Sequence, residues 1–139
     1  MGTDKETGIA LFSLRISIFL MMIVWAVLKI IAPAAYGGGT DPGIFQKFYG
    51  TDLSVTLVYA IGAAQILFLI AYVLGLFKTI TTGGVMLMNL ITLLVSLKLI
   101  LAPFAAKPNI LFVASIPIFG ASLAHFLMRK KDTFLSLGK

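Results

Sequence analysis

Hydrogen-bonding and ionisable side chains are scarce in this chain, so each one set inside an apolar run stands out. Arg15 and Lys29 lie fourteen positions apart. On a helix turning 100° per residue, that separation returns to within about 40° of the same face. One face would thus carry a guanidinium toward one end and an ammonium toward the other. Such groups either snorkel to lipid headgroups or point inward at an acidic ligand or a partner chain. Arg15, Lys29 and, by the same reasoning, Lys98 are the candidate contacts to a partner or a headgroup.

A second set is mostly uncharged. Gln65 sits in the middle of an apolar run, and lipid offers its amide no hydrogen-bond partner. Asn89, Thr92 and Ser96 fall at i, i+3 and i+7, one polar stripe on a helix. Ser115, Ser122, His125 and Arg129 fall at i, i+7, i+10 and i+14, a second stripe. The plain interpretation is interhelical hydrogen bonding, at about 0.6–2 kcal/mol per contact. The sharper one is a polar pocket, lined by Gln65, Asn89, Thr92, Ser96, Ser122 and His125, for a small head group such as a quinone carbonyl. Tyr59 and Tyr72 would also need hydroxyl partners if buried.

Other chemistry is excluded by what these residues cannot assemble. There is no cysteine, hence no disulfide, thiolate zinc site, iron–sulfur cluster or CxxC redox pair. His125 is the single histidine, too few for bis-histidine haem, and a zinc site would need about three further ligands. No serine nucleophile elbow, carboxylate pair or metal-ligand cluster can be built. The expectation is no catalytic residue, no metal and no intrinsic cofactor, with quinone the one cofactor left open. Nor does any Asp or Glu lie within an apolar run, which weighs against a stand-alone proton-driven exporter.

These side chains need elements to hold them. The chain has 139 residues, 60% of them hydrophobic and 12% charged, with a mean hydropathy of +1.06. Soluble domains average about 45–50% apolar and about 25% charged residues. A soluble enzyme and a disordered tail are both excluded. Four runs reach the roughly 20 apolar residues that a bilayer core demands: about 9–32, 53–77, 84–102 and 110–128, with Lys78–Gly83 as a turn. They are too long, and too apolar on every side, for barrel strands. The first is also too long for a signal-peptide core and lacks a convincing cleavage site. The expected fold is all-α: a polytopic, four-transmembrane-helix bundle forming a single transmembrane domain.

Charge orients the bundle. Outside the spans, Lys5, Lys78, Arg129, Lys130, Lys131 and Lys139 fall on one side, against Lys47 and Lys107 on the other. The positive-inside rule places both termini in the cytoplasm. Topology alone explains the net charge of +6, without nucleic acid as a partner. The outer loop, 33–52, contains Gly37-Gly38-Gly39 outside any phosphate-loop pattern, then a short amphipathic segment from Ile44 to Tyr49. Leu28-Lys29-Ile30-Ile31-Ala32-Pro33 is echoed by Leu97-Lys98-Leu99-Ile100-Leu101-Ala102-Pro103, as a duplicated helix hairpin or as two similar span endings.

The segment from Leu14-Arg15 to Val27-Leu28-Lys29-Ile30 resembles the opening helix of the DoxX-like membrane family. There an Arg, an apolar run with Phe, and a Lys fourteen residues later recur. Ala64-Gln65-Ile66 and Gly75-Leu76-Phe77-Lys78 look like its second helix, with Gln65 where that family carries an acid. The family's Gly before the first lysine is Ala26 here. The resemblance covers most of the chain in layout and implies a four-helix bundle associated with respiratory or oxidative-stress complexes.

The functional expectation is a non-catalytic accessory or scaffolding subunit of a larger inner-membrane, respiratory or redox complex, in a bacterial plasma membrane. A quinone- or lipid-binding module feeding an oxidoreductase is the first alternative, and a small transporter or channel the second. Membrane lipids, a larger membrane complex or further copies of the chain are the expected partners.

Overall fold

A computed structural model describes residues 2–33, 54–95 and 114–138. They form four α-helices: α1 (Gly2–Ile31), α2 (Val55–Val73), α3 (Lys78–Val95) and α4 (Ser115–Leu127), followed by a 3₁₀ turn, Arg129–Lys131. No strand occurs among the described residues. From Lys5, α1 is long and apolar enough to cross a membrane, as are α2 and α3. Three such helices mark an integral membrane protein. α4 is apolar but shorter; the expected start of its span, 110–113, lies outside the described residues. So do the end of the third expected span and nearly all of the 33–52 loop.

Two boundaries differ from expectation. α1 begins at Gly2, where a start near Ile9 was expected; Glu6 favours the N-terminal end of the helix dipole. The Lys78–Gly83 stretch, expected as a turn, is the opening of α3, and the turn lies earlier, at 74–77. Two threonine hydroxyls explain why a polar stretch stays helical. Thr81 Oγ1 donates to the carbonyls of Leu76 at 2.9 Å and Phe77 at 3.1 Å, and Thr82 Oγ1 donates to that of Lys78. These hydroxyls are satisfied by the helix's own backbone.

The turn itself is built by Gly75. Its N–H donates to Tyr72 O and the N–H of Leu76 donates to Ala71 O, both at 3.0 Å. This 5→2 and 6→1 pair is the Schellman ending, which requires a left-handed residue, and Gly75 has φ +76°. Phe77 (φ 47°) then redirects the chain into α3.

The chain divides into two compact units, Met1–Ile18 with Ala71–Lys139, and Phe19–Ile70. In the first, the buried side chains are mostly polar: Arg15, Lys78, Thr81, Thr82, Asn89, Ser115, Ser122, His125 and Asp132, beside Leu11, Ile18, Tyr72 and Val85. In the second, Ala26, Lys29, Val58 and Leu69 are buried. Meanwhile Leu20, Val24, Ile31, Leu67, Phe77, Ile80, Leu94 and Leu127 are exposed. Polar inside and apolar outside is the arrangement that lipid as solvent selects.

Candidate functional site

Within the first unit, the middle of one helix, the ends of two others and the C-terminal segment bring four side chains together. Arg15 comes from α1, Tyr72 from the last turn of α2, His125 from the last turn of α4, and Asp132 from just beyond the 3₁₀ turn. Each is 1% exposed. The carboxylate is the hub. Arg15 Nη1 donates to Asp132 Oδ2 at 3.0 Å, and His125 Nε2 lies 2.7 Å from the same oxygen. On the far side of the imidazole, Nδ1 is 2.8 Å from the Tyr72 hydroxyl, with the two rings edge to face at 81°.

With a neutral imidazole, one proton arrangement serves every bond in this chain. Asp132 Oδ2 accepts twice, so His125 carries its proton on Nε2. Its Nδ1 is then an acceptor, and the Tyr72 hydroxyl donates to it. The charges of Arg15 and Asp132 offset one another, which is what makes burying either of them tolerable.

Arg15 does more than pair with the acid. Its Nη2 donates to the carbonyls of Phe134 and Leu135, both at 2.8 Å. Leu135 is left-handed (φ 46°), and this backbone lets two successive carbonyls converge on one nitrogen. Phe134 packs edge to face on Phe12 at 5.4 Å, and the guanidinium lies over the Phe12 ring. Farther along, Leu137 N donates to Leu74 O at 2.9 Å. Residues 132–138 therefore form a strap, bound to α1 by Arg15 and to the 74–77 turn by its own backbone.

A second polar contact joins α3 to α4. Asn89 Nδ2 donates to Ser122 Oγ at 2.7 Å, and Ser122 in turn donates to Ile118 O. Gly83 lets the helices close, since a Cβ there would stand 3.2 Å from the Phe126 ring. At the helix ends, Arg129 donates to Thr79 Oγ1 at 3.1 Å and to Phe126 O at 2.7 Å, with its guanidinium 4.3 Å above the Phe126 ring.

In the second unit, Lys29 is buried (7% exposed) and its Nζ donates to Trp25 O at 3.4 Å. Gly62 of α2 faces it: a Cβ would lie 2.9 Å from Lys29 Cβ and 3.2 Å from Ala26 O. Gln65 is half-buried in the middle of α2.

The residues singled out by spacing therefore separate. Arg15, expected at a headgroup or partner, binds the chain's own strap, because a buried guanidinium takes the nearest carboxylate and carbonyls. Asn89, Ser122 and His125 are buried in the first unit, but Asn89 and Ser122 pair with each other while His125 pairs with Tyr72 and Asp132. Thr92, expected beside Asn89, is exposed and donates to Met88 O of its own helix. Tyr59 is exposed too. Ser96 and Lys98 lie outside the described residues. Asp132 was missed altogether, since it follows the last span. Charge accounting would have found it: a buried arginine needs a counter-ion, and the chain has only five acids to choose from.

Chemically, the cluster is a closed hydrogen-bond chain with two loose ends. Arg15 Nε and Asp132 Oδ1 are buried and have no hydrogen-bond partner among the described residues. Among these residues no three His, Asp or Glu side chains are grouped to hold a metal ion. Searches for similar proteins match this chain to no protein-family model, no curated protein and no solved structure.

Proposed function

We propose that this chain is a non-catalytic accessory or scaffolding subunit of a larger inner-membrane complex, of the DoxX-like type. One observation carries the reading: most bonds of the buried Arg15, Tyr72, His125, Asp132, Asn89 and Ser122 side chains go to each other and to backbone. Arg15, His125 and Tyr72 hold Asp132 and the strap, and Asn89 holds Ser122. A side chain 1% exposed and already hydrogen-bonded is poorly placed to meet a substrate, whereas the outward faces are apolar and suited to lipid or to another membrane helix. The test is purification of the chain from its native membrane in mild detergent. Stoichiometric recovery of a larger membrane protein supports the proposal. A monodisperse chain with no companion refutes it.

A second reading is a binding module for a quinone-like amphiphile. The unpartnered Arg15 Nε–H and Asp132 Oδ1 favour it, since together they offer one donor and one acceptor within the apolar bundle. Native mass spectrometry of the extracted protein decides between the two. A retained quinone supports the module, and bulk phospholipid alone removes its support.

A further inference from the structure

Three of the eleven Lys and Arg residues are consecutive. Arg129, Lys130 and Lys131 form a single 3₁₀ turn directly after α4, and the strap follows at once. The three are not equivalent. Arg129 is committed internally, to Thr79, to Phe126 O and to the face of the Phe126 ring. Lys130 and Lys131 are exposed, and their side chains make no hydrogen bond or ion pair among the described residues. Asp132, the acid beside them, is turned inward to Arg15 and His125, so it does not neutralise them.

The segment that follows is two-faced. Its carbonyls at 134 and 135 and its Asp132 carboxylate face inward to Arg15. Two of its apolar side chains are left out: Leu135 is 69% and Leu137 72% exposed. The same unit exposes Phe77 (73%) and Ile80 (68%) where α2 passes into α3. In water these would be an unexplained cost. At the end of a membrane-spanning bundle such side chains suit the depth where acyl chains begin, and two unneutralised ammonium groups directly precede the strap in the chain.

From this we infer that the C-terminal turn and strap, Lys130–Leu137, form a docking surface for an acidic phospholipid leaflet. Lys130 and Lys131 contact headgroup phosphates while Leu135 and Leu137 insert at the acyl boundary. Arg129 and Arg15 hold the surface in place and do not read the lipid. The inference rests on the chain spanning a membrane, and is independent of any partner subunit.

The test uses the full chain reconstituted in nanodiscs of phosphatidylcholine alone or mixed with phosphatidylglycerol. Bound phosphatidylglycerol is counted by native mass spectrometry, and Tm is followed in both lipids. Wild type should retain phosphatidylglycerol preferentially and melt higher in the mixture. Juxtamembrane basic residues contribute about a fivefold preference each. Lys130→Gln with Lys131→Gln should therefore cut the preference about 25-fold while leaving Tm in phosphatidylcholine unchanged. Lys130→Arg with Lys131→Arg should keep it. Arg129→Gln should lower Tm equally in both lipids and keep the preference. If the double glutamine variant does not reconstitute, a salt titration of wild type replaces it: the preference should fall as salt rises. The inference is overturned by a wild type indifferent to phosphatidylglycerol, by a double glutamine variant with undiminished preference, or by a preference insensitive to salt. Stabilisation by soluble glycerol phosphate equal to that by the lipid also overturns it, because it makes the site one for free phosphate.

Discussion

Arg15 and Asp132 are 117 positions apart in the chain and 3.0 Å apart in space, each 1% exposed. This ion pair ties the first helix to the last segment. In an apolar surrounding neither charge is tolerable alone, so losing one partner costs more than the pair itself is worth. Removal of one member of a buried pair typically costs about 3–5 kcal/mol. Asp132→Ala and Arg15→Met should each lose stability on that scale in denaturant titrations in detergent. The double variant should lose less than the sum, since it strands no charge. Strict additivity would show that the two do not interact.

The Tyr72 hydroxyl has a narrower role. It donates to His125 Nδ1, and Tyr72→Phe leaves that nitrogen buried and without its partner, at a cost of about 1–3 kcal/mol. Nitrogen NMR of the single histidine should find the Nε2–H tautomer in the wild type. Observation of the Nδ1–H tautomer would reverse the direction of the Tyr72 bond and sink the proton arrangement described above.

Gly75 supports the strap twice. Its φ of +76° disfavours any side chain, and a Cβ would run into Ser136 Oγ and stand 3.1 Å from Arg15 Nη1. Gly75→Ala should therefore destabilise by more than the roughly 1 kcal/mol of left-handed strain alone, and should speed proteolytic release of the segment after Lys131. Unchanged cleavage there would show that the strap does not depend on this glycine.

Two other glycines make a controlled comparison. Gly62 meets Lys29 and Ala26 O so closely that Gly62→Ala forces a shift, of the kind that costs about 1–3 kcal/mol in a packed core. Gly120, in α4, has nothing within 4 Å of an added Cβ. Gly120→Ala should stabilise by about 0.5–1 kcal/mol through helix propensity. The opposite signs should be visible in Tm measured side by side.

The sequence could announce helices because twenty apolar residues in a row admit no other structure in lipid. The apolar runs containing Leu20, Leu67 and Leu87 are accordingly helical, within α1, α2 and α3. It could also announce that Arg15 and His125 would need partners, because an unpaired polar group in an apolar bundle is costly. It could not say which partners. Spacing along one helix relates Asn89 to Thr92, yet the structure joins Asn89 to Ser122 and leaves Thr92 outside, since the neighbour of a helix face is decided by the helix packed against it. The 74–77 turn was misplaced for a local reason: Thr81 and Thr82 resemble turn residues until their hydroxyls are seen bonded to the preceding carbonyls. Asp132 lay beyond the reach of periodicity altogether, because its partner is 117 residues away and the strap that carries it has no regular repeat. Apolar run length is a property of the chain and can be read from it; the pairing of buried charges is a property of the closed chain, and only the tertiary structure decided it.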